Sequence, residues 1–310
     1  MMAEAKSRRE PLWLLALFIC YATSLTLATV CSRTVTESAR EGMRLAVEVI
    51  LPSILPFMIL SDIIAIAIDF SQLQRTGKLF GRIFGLGGYA LGAIVIGTLA
   101  GFPVGARMVT HGYESGALSK AEAERAVIIS STPSLAFIVS GVGGGMLVDM
   151  RIGLMLYFSV ITASLLYGFL TRKGSVPTVS KGLKRQKFDI ARSISSAATT
   201  SLGIVVSVTL FSVVTGILCE VVKSGVPLSL ILPFIEVSNA CARLCEMGDG
   251  LSLILVAFAL GFSGLSVHMQ IRSAIADTDL GYSRFLRGKL IVGMMSAGIF
   301  AVFSLFIGIL

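Results

Sequence analysis

The sequence predicts an all-α, polytopic helical membrane protein built from two weakly similar halves, each with a Gly/Pro-broken or re-entrant helix. Of the 310 residues, 55% are hydrophobic and only 14% are charged, whereas a soluble domain carries about 25% charged residues. Apolar runs of roughly 20 residues follow one another, and each is long enough to cross a bilayer as a helix. A Gly-Phe pair interrupts one such run in each half, at Gly101-Phe102 and at Gly261-Phe262.

The apolar runs give nine candidate segments, of which we interpret the first as an uncleaved anchor. Segment 11–31 is longer than the apolar region of a signal peptide, and no A-x-A-like cleavage site follows it. The other segments are 44–69, 87–110, 126–148, 152–171, 193–222, 228–245, 250–271 and 289–310.

A basic stretch, residues 172–192, separates the two halves. It carries seven Lys or Arg against one acidic residue, which predicts a solvated linker between a first membrane half, 1–171, and a second, 193–310. Each half has a proline-bearing segment, then a Gly-Phe break, then a short polar stretch and a final apolar run. Repeats of this kind build many transporters, with the binding site between them. The sequence leaves open whether the repeats are parallel or inverted.

The stretch "GTLAGFPVGARMV", 97–109, allows two interpretations. Gly97, Gly101 and Gly105 lie at i, i+4 and i+8 and suit a small-residue face for tight helix packing. Alternatively, Gly101 to Pro103 is the tip of a broken or re-entrant helix, since irregular backbone at membrane depth must be buried in protein or line a cavity. Pro103 favours the break, because proline removes a helix hydrogen bond.

Residues at the breaks, together with polar side chains near them, are the candidate solute-binding residues, because polar groups inside spans are costly and usually functional. We expect Glu236 to face the interior and to pair with Arg107, Arg272 or His268. Both arginines could instead extend to the membrane surface, and a neighbour could satisfy the histidine. The full candidate set is Gly101, Phe102, Pro103, Arg107, Ser131, Thr132, Ser134, Glu236, Asn239, Ser263, Gly264, Ser266, His268 and Gln270.

The sequence predicts no enzyme, no cofactor and no metal site. It lacks a Walker loop, a dinucleotide-binding fingerprint, an HExxH motif and a nucleophile elbow. Cys241 and Cys245 share a helix face but have no nearby histidine, so we interpret them as buried thiols rather than zinc ligands. The net charge of +8 reports loop orientation in a membrane protein, so it does not indicate a nucleic-acid partner.

Four stretches carry a resemblance to a known family: "LPSILPF" at 51–57, "AGFPVGARM" at 100–108, "SSTPSLAFI" at 130–138 and "GFSGLSVHMQ" at 261–270. Along nearly its full length the chain resembles the YlbJ family of sporulation integral membrane proteins. These proteins carry two nucleoside-recognition, or Gate, segments, which also occur in concentrative nucleoside transporters and in the ferrous iron transporter FeoB. The resemblance implies a multi-pass protein of a bacterial plasma membrane with a role in spore formation, and it supplies no substrate.

Two functions fit the sequence. One is a passive or ion-coupled carrier or channel for a small polar solute needed in spore formation, which the paired breaks favour. The other is a non-transporting scaffold that recruits partners for assembly of the spore envelope or cortex, with the basic linker as its contact surface. The expected partners are the lipid bilayer, an unknown small solute, and further copies of the chain or other membrane proteins.

The distribution of basic residues favours a cytoplasmic linker. If both Gly-Phe segments, 87–110 and 250–271, enter and leave on the cytoplasmic side, 21 of the 26 Lys and Arg fall inside. If all nine segments span, 12 fall inside and 14 outside, against the tendency of short cytoplasmic loops to hold Lys and Arg. We therefore expect two re-entrant segments.

Overall fold

A computed structural model describes residues 29–52, 80–172, 190–221 and 227–308, together with a few single residues between 26 and 59. Within these ranges the regular secondary structure is entirely helical, as the sequence predicts. The helices are α1 (Ser32–Arg44), which continues as the π-helix Leu45–Ile50, α2 (Gly88–Ala100), α3 (Phe102–Glu114), α4 (Lys120–Ser130), the π-helix Phe137–Met146, α5 (Met150–Leu170), α6 (Ile190–Val221), α7 (Pro227–Ile235), α8 (Val237–Met247), α9 (Gly250–Phe262), α10 (Gly264–Ala274) and α11 (Tyr282–Ile307).

Four helical stretches within the described ranges are long and apolar enough to cross a membrane. They are Met150–Leu170, Ala197–Glu220, Gly250–Ala274 and Tyr282–Ile307. On α6, Leu202, Val206 and Leu210 recur every four residues and are more than half exposed, so they form an apolar stripe that suits contact with lipid. The chain is therefore a multi-pass membrane protein.

Acidic and hydroxyl side chains define where several helices begin. Ser119 accepts a hydrogen bond from the backbone N–H of Glu122, and the Glu122 carboxylate accepts one from the backbone N–H of Ser119, which is a capping box. Asp249 caps α9 by accepting from the Ser252 N–H at 2.8 Å. These caps satisfy N–H groups that a helix start leaves without a partner.

The first Gly-Phe break is the tip of a hairpin. Helix α2 ends at Ala100, Gly101 has φ = 99°, and α3 begins at Phe102. The two arms pack on each other so closely that a Cβ on Gly97 would lie 3.0 Å from the Cα of Gly105. In a continuous helix these residues would be about 12 Å apart. Each arm has 13 residues, roughly 20 Å, which is shorter than a bilayer's hydrocarbon core of about 30 Å.

The second Gly-Phe break has a different geometry. Helix α9 ends at Phe262, and Ser263 and Gly264 take left-handed conformations with φ = 83° and 66° before α10 continues. These two helices, which the structure describes in full, do not pack along each other. Together they form the interrupted candidate span Gly250–Ala274. The expectation that both Gly-Phe segments fold back is therefore met by the first one alone.

The two halves interlock. Helix α1 of the first half packs along α6 of the second, and α11 of the second half packs along α5 of the first. Polar contacts also join the halves, because Arg284 pairs with Glu124 and Lys120 pairs with Asp279. The linker, predicted at 172–192, is described only at its two ends, because residues 173–189 lie outside the described ranges.

Candidate functional site

Among the described residues, four helix interruptions lie against one another. They are Gly101 between α2 and α3, residues 131–134 after α4, Glu236 between α7 and α8, and Ser263 between α9 and α10. They meet in two crossing pairs. A Cβ on Gly101 would lie 3.3 Å from Ser134, and one on Gly264 would lie 3.0–3.2 Å from the backbone of Glu236 and Val237.

A cavity lies among the interruptions. Its volume open to water is about 40 Å³, enough for a few water molecules. Both halves contribute lining residues, but of the two Gly-Phe breaks only the first, at Gly101 and Phe102, lies on the cavity wall, whereas Ser263 and Gly264 do not line it. The lining residues are Ile50, Ala100, Gly101, Phe102, Ser134, Phe137, Ile204, Val208, Glu236, Val237, Ser238, Ser266, Val267 and Gln270.

Glu236 is the acidic group of this cavity. Its residue surface is 2% exposed, so the prediction that it faces the interior is confirmed. One carboxylate oxygen accepts from the Asn239 backbone N–H at 2.7 Å and from the Asn239 side-chain amide at 3.0 Å. The other accepts from the Ser266 hydroxyl at 3.4 Å. Asn239 also donates to the Ser212 hydroxyl of α6 at 2.8 Å, which fixes the amide that orients the carboxylate.

The expected cationic partner of Glu236 is wrong. Arg107 and Arg272 are exposed, and Arg272 lies over the ring of Tyr282. His268 is buried, but its Nε2 lies 2.9 Å from the Phe262 carbonyl oxygen, a backbone partner that closes the turn at Ser263. Within the described ranges, no Lys, Arg or His lies within ion-pairing distance of Glu236.

The structure brings some candidate residues to the cavity and leaves others beside it. Those that line it are Gly101, Phe102, Ser134, Glu236, Ser266 and Gln270. Asn239 supports Glu236 from the next turn of α8. Ser263, Gly264 and His268 belong to the second Gly-Phe break and do not line the cavity. Ser131 and Thr132 lie in the interruption that follows α4 and do not line it either. Pro103 lies in the first turn of α3.

Ser134 shows how one residue serves both the fold and the cavity. Its hydroxyl accepts from the Phe137 N–H at 3.1 Å, so it caps the helical segment that follows the interruption. The same residue lies on the cavity wall and touches the hairpin tip at Gly101. The "SSTPS" sequence, with four hydroxyls and a proline, was the signal for this position.

Sequence reasoning missed Ser212, Ser238 and Lys289. Ser238 lines the cavity, and Ser212 binds Asn239. Lys289, which charge counting placed in a cytoplasmic loop, is fully buried in α11. Its Nζ donates to the Ser131 carbonyl oxygen at 2.7 Å. The position of Lys289 seven residues into α11, just before an apolar run, was the available signal.

The chain is similar to the sporulation integral membrane protein YlbJ of Bacillus subtilis (strain 168). The two are 26% identical over 313 residues, an alignment that covers 84% of this chain and 75% of that protein. No protein-family model matches the chain, and no solved structure matches it. The nucleoside-recognition segments expected from the sequence stay a prediction.

Proposed function

We propose that the protein is a membrane carrier for a small polar solute, which binds between the four interruptions and contacts Glu236. The observation that carries this proposal is a buried carboxylate that has no cationic partner among the described residues, on the wall of a cavity built from broken helices of both halves. A buried carboxylate is costly unless a ligand or a network of donors compensates it. Asn239 and Ser266 supply part of that compensation, and a solute that donates hydrogen bonds or carries positive charge supplies the rest.

The four interruptions around the cavity are also suited to a conformational change that admits a solute. Broken helices expose backbone groups at the cavity, and the described space of about 40 Å³ is smaller than most metabolites. A solute larger than a few waters therefore requires the interruptions to separate, with Gly101 and Gly264 at the crossing points. The similarity to a sporulation integral membrane protein supports the proposal that this transport serves spore formation.

The test compares Glu236→Gln with Glu246→Gln in the source organism, with heat-resistant spores and membrane protein level as readouts. Both residues lie on or at α8, but Glu246 is exposed at its far end. We expect Glu236→Gln to lower spore yield by at least about tenfold at an unchanged protein level, because the solute loses the charged partner of its binding site. Glu246→Gln is expected to have no effect. A scaffold would tolerate both changes, so a normal spore yield with Glu236→Gln contradicts the proposal.

A second experiment asks for the solute class. The unfolding temperature of the purified chain is measured with a nucleoside, an amino acid, a polyamine and a dicarboxylate, each at equal concentration. A solute bound in the cavity raises the unfolding temperature by mass action. That rise should disappear in Glu236→Gln and persist in Glu246→Gln.

A further inference from the structure

Lys289 is a buried cation that forms no ion pair with any of the described residues. It is fully buried in α11, and its described hydrogen bond goes to the carbonyl oxygen of Ser131. Within the described ranges, no Asp or Glu lies within ion-pairing distance of it. An unpaired buried ammonium is expensive, so the surroundings of Ser131 must compensate for it.

Those surroundings are rich in oxygen. Helix α4 ends at Ser130, so its last carbonyl groups carry the negative end of the helix dipole. The Ser130 carbonyl oxygen points into the notch between Gly97 and Gly105, where an added Cβ would approach it to within 2.5 Å. Three hydroxyls at this end, those of Ser130, Ser131 and Thr132, are buried and form no hydrogen bond with any of the described residues.

Such a set of groups is typical of a site for a monovalent cation. Unwound backbone carbonyls and the C-terminal ends of half-helices coordinate cations in membrane proteins, and hydroxyl oxygens without partners add further ligands. We propose that the interruption 131–134 is a monovalent-cation site whose resident cation is the ammonium group of Lys289. The lysine is a cation tethered to the second half, and it closes the end of α4 without a free metal ion.

The closure of α4 by Lys289 does not depend on whether the chain carries a solute. Two substitutions separate the effect of the positive charge of Lys289 from the effect of its hydrogen bond to Ser131. Glutamine at position 289 keeps a donor for the Ser131 carbonyl but brings no charge. Alanine removes both and leaves a space beside the oxygen atoms that Na⁺ or Li⁺ can enter.

The experiment measures unfolding temperatures of the purified full chain in sodium chloride, lithium chloride and choline chloride at equal ionic strength. The wild type is expected to unfold at the same temperature in all three salts. Lys289→Ala should unfold at a lower temperature in choline chloride and regain roughly 3 °C or more in one of the metal salts, because an ion that binds only the folded state stabilises it. Lys120→Ala, which removes a surface lysine paired with Asp279, controls for general salt effects and should show no such gain.

Three results would overturn the proposal. One is a Lys289→Ala protein whose stability is the same in every salt. Another is a Lys289→Gln protein as stable as the wild type in choline chloride, because a hydrogen bond alone would then suffice. The third is failure of both variants to fold in any of the salts, since a true cation site accepts a metal ion in place of the ammonium.

Discussion

The backbone of Gly264 lies directly against that of Glu236. A Cβ on Gly264 would be 3.1 Å from the Glu236 Cα and 3.0 Å from the Val237 nitrogen. The interruption between α9 and α10 therefore crosses the interruption between α7 and α8 at the residue that carries the carboxylate of the cavity. This crossing sets the position of Glu236, because its main chain has no room to move toward α10.

Gly264→Ala should destabilise the protein and displace Glu236. Gly264 has φ = 66°, a conformation that costs a non-glycine residue about 1–2 kcal/mol, and the new methyl group would also collide with the backbone of Val237. Gly298→Ala on α11 is the matched control, because a Cβ there meets nothing within 4 Å. Unfolding temperatures in detergent should fall for Gly264→Ala alone, and an equal response of the two variants would contradict the crossing.

Gly97→Ala and Gly105→Ala should each open the hairpin of α2 and α3. An added Cβ at either position would lie within 2.5 Å of the Ser130 carbonyl oxygen and 3.0 Å from the Cα of the glycine on the opposite arm. The arms must therefore move apart from each other and from the end of α4. We expect a loss of roughly 1–3 kcal/mol for each variant. Gly203→Ala, where a Cβ meets nothing within 4 Å, should be neutral or slightly stabilising. Proteolysis of the hairpin that is no faster in the variants than in the wild type would argue against this packing.

Arg125→Lys should destabilise the protein although it preserves the charge. The buried guanidinium of Arg125 donates to the carbonyl oxygens of Phe84, Gly85 and Gly168, and it thereby ties the start of the first hairpin to the end of α5. A lysine has one nitrogen and cannot make this set of bonds. We expect a loss of about 3 kcal/mol, seen as a lower unfolding temperature. Arg243→Lys, at an exposed position of α8, should behave like the wild type.

The basic linker is expected to face the cytoplasm. Single cysteines at positions 175 and 180, in a chain without its native cysteines, should resist a membrane-impermeant thiol reagent in intact cells and react after lysis. A cysteine at Ser32, in the charged helix α1 that charge counting places outside, serves as the comparison. Labelling of the linker in intact cells would place it outside, and it would contradict a topology in which the N-terminus is inside and segment 87–110 enters and leaves on the cytoplasmic side.

Some backbone features of the fold could be predicted because a few residues that are adjacent in the sequence determine them. Glycine and proline marked the interruption at Gly101, and glycine marked the one at Ser263, since these residues change what a helix can do within one turn. The interruption at 131–134 lies inside the apolar run 126–148 and was not predicted. The difference between the two Gly-Phe breaks could not be predicted. This difference depends on whether the two helices on either side of a break pack against each other, as they do at Gly97 and Gly105, or pack against other helices.

Side-chain pairing was the part that the sequence did not disclose. Glu236 was expected to find a cation, but it binds Asn239 and Ser266, and the buried Lys289 binds a backbone carbonyl 158 positions away along the chain. From the sequence alone, every nearby Lys, Arg or His is a candidate ion-pair partner of Glu236. Which of these cations is buried, and beside which group, depends on the fold. Arg125 and Lys289 were both among the 21 basic residues counted on the cytoplasmic side, although the fold buries both of them.

The end of α4 has a consequence for the order in which the protein is made. The hairpin of α2 and α3 leaves the ribosome before the residues that hold its tip, Ser130 and Ser134, have been synthesised. The ammonium that closes that end, on Lys289, arrives later still. During synthesis, the carbonyl group of Ser131 at the end of α4 therefore lacks its hydrogen bond from Lys289 until the last helix, α11, has been made.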